Sequence, residues 1–268
     1  MSQTEEQEVK RDHVIETMQQ AIAEEPAGSL GVFDLPCGFL DEEGVLHKEV
    51  QVREITGHEE DMLGSNSVPA HKKIGLLITG CLKRVGTITE QKALNAVADN
   101  LTVGDRVFLM FAIRRASLGD SYPFRSECPQ CKYRGIFTLD LSDLEVKTMK
   151  EPMKRIFDCR LPSGKEARFR PLIGKDEERL SKASSSNEAL SLAILMRLLN
   201  LEGEPPTLAA VKNLGMKDRN FLRGEFDKVE GGIETTLDMG CPTCEHEFIE
   251  ELDVSQAGFF FPSSVQKG

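Results

Sequence analysis

The chain has 268 residues, 40% of them hydrophobic, which is enough to build the core of one large domain or two ordinary ones. A formal net charge of −11 sets the average surface against phosphate and so argues against generic nucleic-acid binding. Tryptophan is absent and only Tyr122 and Tyr133 supply tyrosine, which removes the usual stacking platforms for bases and sugars.

Residues 1–27 are acidic and carry Val14, Ile15, Met18 and Ile22 at helical spacing. They read either as a frayed terminus or as a short amphipathic helix docked on a partner, ended by the Pro26-Ala-Gly-Ser break. The opening MSQTEEQEVKRDH lacks the basic and apolar regions of a secretory leader, and no run of 18 apolar residues follows. The expectation is therefore a cytoplasmic chain without a membrane span.

GVFDLPCGFL (31–40) and KEVQVREI (48–55) predict a strand pair. GHEEDML (57–63) places carboxylates in the first turn of a helix, where the dipole favours them. KKIGLLITGCLKRV (72–85) and QKALNAVADNL (91–101) read as helices, as does the stretch carrying Asp105-Arg106. YPFRSE (122–127) and GIFTLD (135–140) read as strands around Cys128-Pro-Gln-Cys131.

The same parts then come again. IFDCRLPSGKEARFRPLI (156–173) predicts a hairpin turning at Pro162-Ser163-Gly164, and GKDEERL (174–180) repeats the acidic first turn. EALSLAILMRLLNL (188–201), LAAVKNL (208–214) and the stretch with Asp218-Arg219 read as helices. IETTLDMG and EFIEELD flank Cys241-Pro-Thr-Cys244.

Residues 101–131 align with 214–244 without a gap, the offset being 241 − 128 = 113. Leu101/Leu214, Asp105/Asp218, Arg106/Arg219, Phe108/Phe221, Leu109/Leu222, Gly119/Gly232 and all four cysteines coincide. Upstream, VREITGHEEDML (52–63) matches FRPLIGKDEERL (169–180) at an offset of 170 − 53 = 117, a difference a loop absorbs. The pattern predicts an α+β chain of two tandem related units, 28–145 and 146–255, after an N-terminal extension (1–27) and before a tail (256–268). In that tail Phe259, Phe260 and Phe261 are expected either in the chain's own core or inserted into a neighbouring subunit.

Seven cysteines without an export signal suit a metal better than a disulfide framework. A Cys-x-x-Cys turn between strands supplies half of a tetrahedral thiolate set, so Cys128, Cys131, Cys241 and Cys244 together predict a structural zinc ion stapling the two units. Two rivals remain: a redox dithiol, which prefers CxxC at a strand-to-helix junction, and pairing of each knuckle with another protomer. His246 reads as a surface residue, and Cys37, Cys81 and Cys159 as small buried thiols. Motifs for nucleotide binding, metalloproteases and esterases are absent, so no catalytic or cofactor-binding residue is assigned.

The hairpin with LPSG, the arginine-bearing strand leading into GKxEE and the terminal CPxC with its acidic strand resemble the small base-plate proteins of contractile-tailed phages of the T-even type. The likeness is strongest over 157–253, with the first copy a more divergent version. The resemblance implies a non-enzymatic hub component or assembly factor of the base plate, or of a related injection machine, in the virion tail and, during assembly, the host cytoplasm. Its partners would be other tail proteins, reached through residues 1–27 and 256–268. The competing reading is a zinc-ribbon regulator of nucleic acid, favoured by the basic CKYRG tip but opposed by its counterpart CEHEF. A thiol oxidoreductase is the third.

Overall fold

The computed structural model describes residues 30–183, 188–252, 254 and 257–260. The N-terminal extension, Phe261 and the residues after it lie outside that range. Strand β1 (Leu30–Leu40) pairs antiparallel with β2 (Leu46–Arg53), and a bulge between Asp34 and Phe39 re-aims the chain. The tight turn between them uses Gly44 at φ 82°, a conformation that costs glycine nothing.

Helix α1 (Gly57–Gly64) starts where the Glu59 carboxylate reaches back to the Thr56 N–H at 2.7 Å, and α2 (Ala70–Cys81) follows. The predicted helix over 72–85 ends early. Leu82 turns extended and LKRV becomes β3 (Leu82–Val85), the third strand of a sheet ordered β1-β2-β3. An apolar run gives no periodicity to mark that switch. Helix α3 (Gln91–Asn100) leads to α4 (Val103–Leu118), which is capped by the Thr102 hydroxyl accepting from the Asp105 N–H and stops at Gly119 (φ 79°). A ribbon of β4 (Ser121–Glu127) and β5 (Arg134–Asp140) carries the first knuckle.

After a short strand β6 (Val146–Lys147), the same order of parts recurs. β7 (Phe157–Arg160) and β8 (Glu166–Phe169) form the predicted hairpin with Gly164 at φ 91° in its turn. Helices α5 (Gly174–Ala183) and α6 (Ala189–Arg197) follow, and the predicted helix over 188–201 is cut like its counterpart: LLNL becomes β9 (Leu198–Leu201), completing a β7-β8-β9 sheet. Helices α7 (Leu208–Lys212) and α8 (Met216–Val229) lead through β10 (Gly232–Ile233) to the second ribbon, β11 (Thr236–Gly240) and β12 (Glu247–Glu251), and to a final turn of helix, α9 (Ala257–Phe260). The result is a mixed helix and strand fold, as expected. Even irregularities recur: the sheets shift register between Gln51 and Val52 and again between Arg168 and Phe169.

Two apolar cores hold these parts. One packs β1–β3 against α2, α3 and α4 around Val50, Leu77, Leu94, Leu109 and Phe111; the other centres on Phe169, Val211, Leu222 and Phe226. The chain crosses between them. Leu237, Leu252, Val254, Phe259 and Phe260 from its far end join the first core, while Cys37 of the first hairpin joins the second. Phe259 and Phe260 are each 1% exposed, and Phe259 stands edge-on to Phe111 at 5.1 Å, so of the two fates foreseen for these rings they take burial in their own core. The buried Arg114 donates from Nη1 to the Phe259 carbonyl at 2.8 Å and lies 4.7 Å over the Tyr122 ring.

Backbone contact seals the junction. β6 pairs with β10, and a Cβ on Gly104 would stand 1.8 Å from the Gly231 carbonyl oxygen, so α4 approaches that strand as only glycine permits. The Arg106 guanidinium reaches across to the Glu177 carboxylate at 2.9 Å.

Candidate metal centre

Each knuckle is built by the same local chemistry. In the first, the Cys128 N–H donates to the Tyr133 carbonyl at 2.9 Å and the Lys132 N–H to the Cys128 carbonyl at 3.0 Å. In the second, Cys241 donates to His246 at 3.0 Å and Glu245 to Cys241 at 2.9 Å. The residue after the second cysteine takes the left-handed conformation both times, Lys132 at φ 62° and Glu245 at φ 59°, which folds the chain back so that both sulfurs face one way.

The two ribbons meet tip to tip. The four Sγ atoms of Cys128, Cys131, Cys241 and Cys244 all lie within 4.8 Å of one another, with Cys128 3.8 Å from Cys244 and Cys131 3.6 Å from Cys241. A disulfide would bring two sulfurs to about 2.05 Å, so these are four free thiols. A tetrahedral ion with Zn–S bonds near 2.3 Å spaces its sulfurs about 3.8 Å apart, and the crossed pairs fit that spacing. The residues brought together are therefore the four singled out by their spacing in sequence, supplied by one chain rather than by two protomers. Both knuckles sit between strands rather than ahead of a helix, away from the setting of a redox dithiol.

Burial works against ionisation of Cys241, but N–H groups of Thr243 and Cys244 and the neighbouring thiols outweigh it and bring its pKa down to about 6. Its neighbour Cys244 is held to about 12: the His246 N–H works downward, and burial with the other three sulfurs prevails. One thiolate among four close sulfurs raises the cost of the next, and a cation at the centre removes that cost. Below the sulfurs the Ser126 hydroxyl donates to Glu250 at 2.5 Å, a second tie between the ribbons. His246 is half-buried and gives only its backbone to the knuckle.

The remaining cysteines have other surroundings. Burial raises Cys37 to about 11, with Asp105 adding to the effect, and burial likewise raises Cys81 to about 12 and Cys159 to about 11, so all three stay protonated. The first-turn acids do more than face a dipole. Glu59 forms a two-bond pair with Arg53 (2.7 and 3.0 Å), and Asp176 forms the corresponding pair with Arg170 (2.7 and 3.0 Å). Asp105 accepts from the Cys37 N–H at 2.7 Å and Asp218 from the Ser163 N–H at 3.0 Å, so each ties its helix to its own hairpin. The pairing of Arg53 with Glu59 was missed in sequence, although two residue types recurring together at one offset were its visible sign.

A cleft of about 580 Å³ at the junction is lined by Val103, Gly104, Arg197, Glu230, Gly231 and Leu252 among others, and among the described residues no cysteine, serine or histidine faces it. Among the described residues no helix is long and apolar enough to cross a membrane.

Comparison with known families adds the decisive observation. Residues 44–158 match the family described as T4 bacteriophage base plate protein. The T-even base-plate resemblance is thereby shown, and the base-plate family implies a structural role in the virion tail among other tail proteins. The matched stretch ends where the 157–253 stretch, in which the motifs looked closest, begins. No curated protein and no solved structure matches the chain.

Proposed function

We propose that the chain is a zinc-stapled structural or assembly component of a contractile tail base plate, in the hub region, or of a related injection machine. The family match over 44–158 carries the location. The sulfur spacing of 3.6 and 3.8 Å supports zinc, whose preference for tetrahedral thiolate sets suits a closed structural site without an open position for substrate. When bound, the ion supplies folding free energy by holding the ribbon tips together, and the chain's own residues supply the rest of the block.

The reading includes a duplication, with units 28–145 and 146–255. Its support is the recurrence of sheet, bulge, helix order, left-handed knuckle residue and paired first-turn acid at offsets of 113 to 117. Catalysis forms no part of the proposal. Its partners are other tail proteins, with residues 1–27 as a contact segment and particles assembling in the host cytoplasm. Protein identification on purified tails and isolated base plates tests it: presence in particles indicates a component, presence only in assembly extracts a factor, and absence from both refutes the assignment.

A further inference from the structure

The junction between the units is made by one corner and one connection. The connection from β8 into α5 lies on the corner between α3 and α4, where the Val103 N–H donates to the Leu172 carbonyl at 2.9 Å and the Gly174 N–H to the Leu101 carbonyl at 3.0 Å. Arg106 completes it by donating from Nη1 to the Ala98 carbonyl at 2.7 Å and from Nε to Glu177 at 2.9 Å. Helix α5 also packs on α2.

The second unit builds the same corner between α7 and α8, and among the described residues nothing closes it. Arg219 stands where Arg106 stands and donates from Nη1 to the Val211 carbonyl at 3.0 Å, eight residues back as in the first unit. Its Nη2 meets only the Ser191 hydroxyl, and no carboxylate pairs with it among the described residues although it is 9% exposed. Met216, in the place of Val103, is 64% exposed and its N–H takes no partner among those residues. Leu190, eight residues before the start of β9 as Ile74 is before the start of β3, is 71% exposed. Two of the most exposed large apolar side chains thus lie on the face that, in the first unit, the second unit covers.

The complementary connection is open as well. Ile55 to Glu60 corresponds to Leu172 to Glu177 at the offset of 117. Glu60 is exposed and without an ion pair among the described residues. Gly57 is the sharper sign. A Cβ on its counterpart Gly174 would come 2.7 Å from the Arg106 guanidinium and 3.0 Å from the Ala98 carbonyl oxygen, so a side chain there would push on the corner, whereas a Cβ on Gly57 meets nothing within 4 Å. Among the described residues nothing requires glycine at that position.

We infer that the Leu190, Met216 and Arg219 corner of one copy receives the Ile55–Glu60 connection of a second copy, head to tail, with Arg219 paired to Glu60. The inference rests on the repeat reading above. Such a contact is heterologous, so successive copies form a ring if the rotation closes and a filament if it does not. Lys217 stands where Gly104 allows the Gly231 backbone to approach, so copies seat less deeply than the two units do and associate reversibly.

Sedimentation velocity on the full chain over a concentration series tests this, with metal content and thermal midpoint measured alongside. Gly57→Ala and Glu60→Arg, both at exposed positions, are each expected to weaken association roughly tenfold with metal content unchanged; the midpoint is expected to hold in Gly57→Ala and to fall only slightly in Glu60→Arg, which reverses a first-turn charge. Lys217→Gly is expected to strengthen it. Glu60→Arg combined with Arg219→Glu is expected to recover affinity relative to Glu60→Arg alone. A chain that stays monomeric at its highest soluble concentration, or association indifferent to these changes, overturns the inference, as does a different base-plate protein occupying the corner while copies never associate. Loss of metal with association intact would count against the zinc staple instead.

Discussion

Two ion pairs in equivalent positions invite a paired perturbation. Arg53 and Glu59 are both fully buried, and the Glu59 carboxylate also accepts from the Thr56 N–H at 2.7 Å and the Thr56 hydroxyl at 2.9 Å. Glu59→Gln keeps the shape and removes the charge that pairs with the buried Arg53 guanidinium. Breaking a buried pair in this way costs about 3–5 kcal/mol. Asp176→Asn makes the same change in the second unit, where Arg170 is 27% exposed and water can replace part of what is lost, so the expected cost is about 1–2 kcal/mol.

Urea unfolding at pH 7, extrapolated linearly, measures both. A pH series adds a sign. Burial alone would raise the pKa of Glu59, but Arg53 and Thr56 outweigh it and hold the carboxyl below the usual glutamate range. The folded state therefore binds its proton less readily than the unfolded chain. The contribution is present above the unfolded pKa and is lost as pH falls through the folded value, and Glu59→Gln should flatten that acid decline. Equal losses in the two variants, or a Glu59→Gln loss below about 1 kcal/mol, would refute the burial argument.

Asp105 should act in the opposite direction: burial raises it to about 6, so its contribution is present below the unfolded aspartate pKa and is lost as pH rises through about 6. Asp105→Asn should reduce that decline between the two values in thermal melts, and an unchanged profile would count against it. Phe259→Ala should cost about 3–5 kcal/mol by urea unfolding, because the ring is 1% exposed against Phe111 and Tyr122; a loss under about 1 kcal/mol would mean the tail is not part of the first core. Gly104→Val should destabilise the fold sharply through its clash with the Gly231 carbonyl, whereas Gly240→Val, with no neighbour within 4 Å, should be mild.

The parts most legible in sequence were those written by short-range chemistry. Hairpins showed through alternation and glycine turns, and the knuckles through CPxC between strands. LKRV and LLNL were read as helix ends because each continues an apolar helical run with no proline to break it; their pairing with β2 and β8 is a long-range fact. The same applies to the β6–β10 pair and to the passage of Leu252 and Phe259 into the first core. The meeting of the four cysteines was legible because the same Cys-Pro-x-Cys turn between strands occurs twice in the chain. Arg106 with Glu177 was not, since a charge pair 71 residues apart leaves no local trace.

The central claim is that sulfur from both ribbons holds one ion. Elemental analysis of the purified full chain, with the thermal midpoint followed in parallel, tests it most directly. The account predicts a single zinc ion per chain, lost together with thermal stability in Cys128→Ser and equally in Cys241→Ser, one ligand from each knuckle. A metal-free chain that melts like the untreated one, or full zinc loading after a knuckle has lost its cysteine, would contradict it.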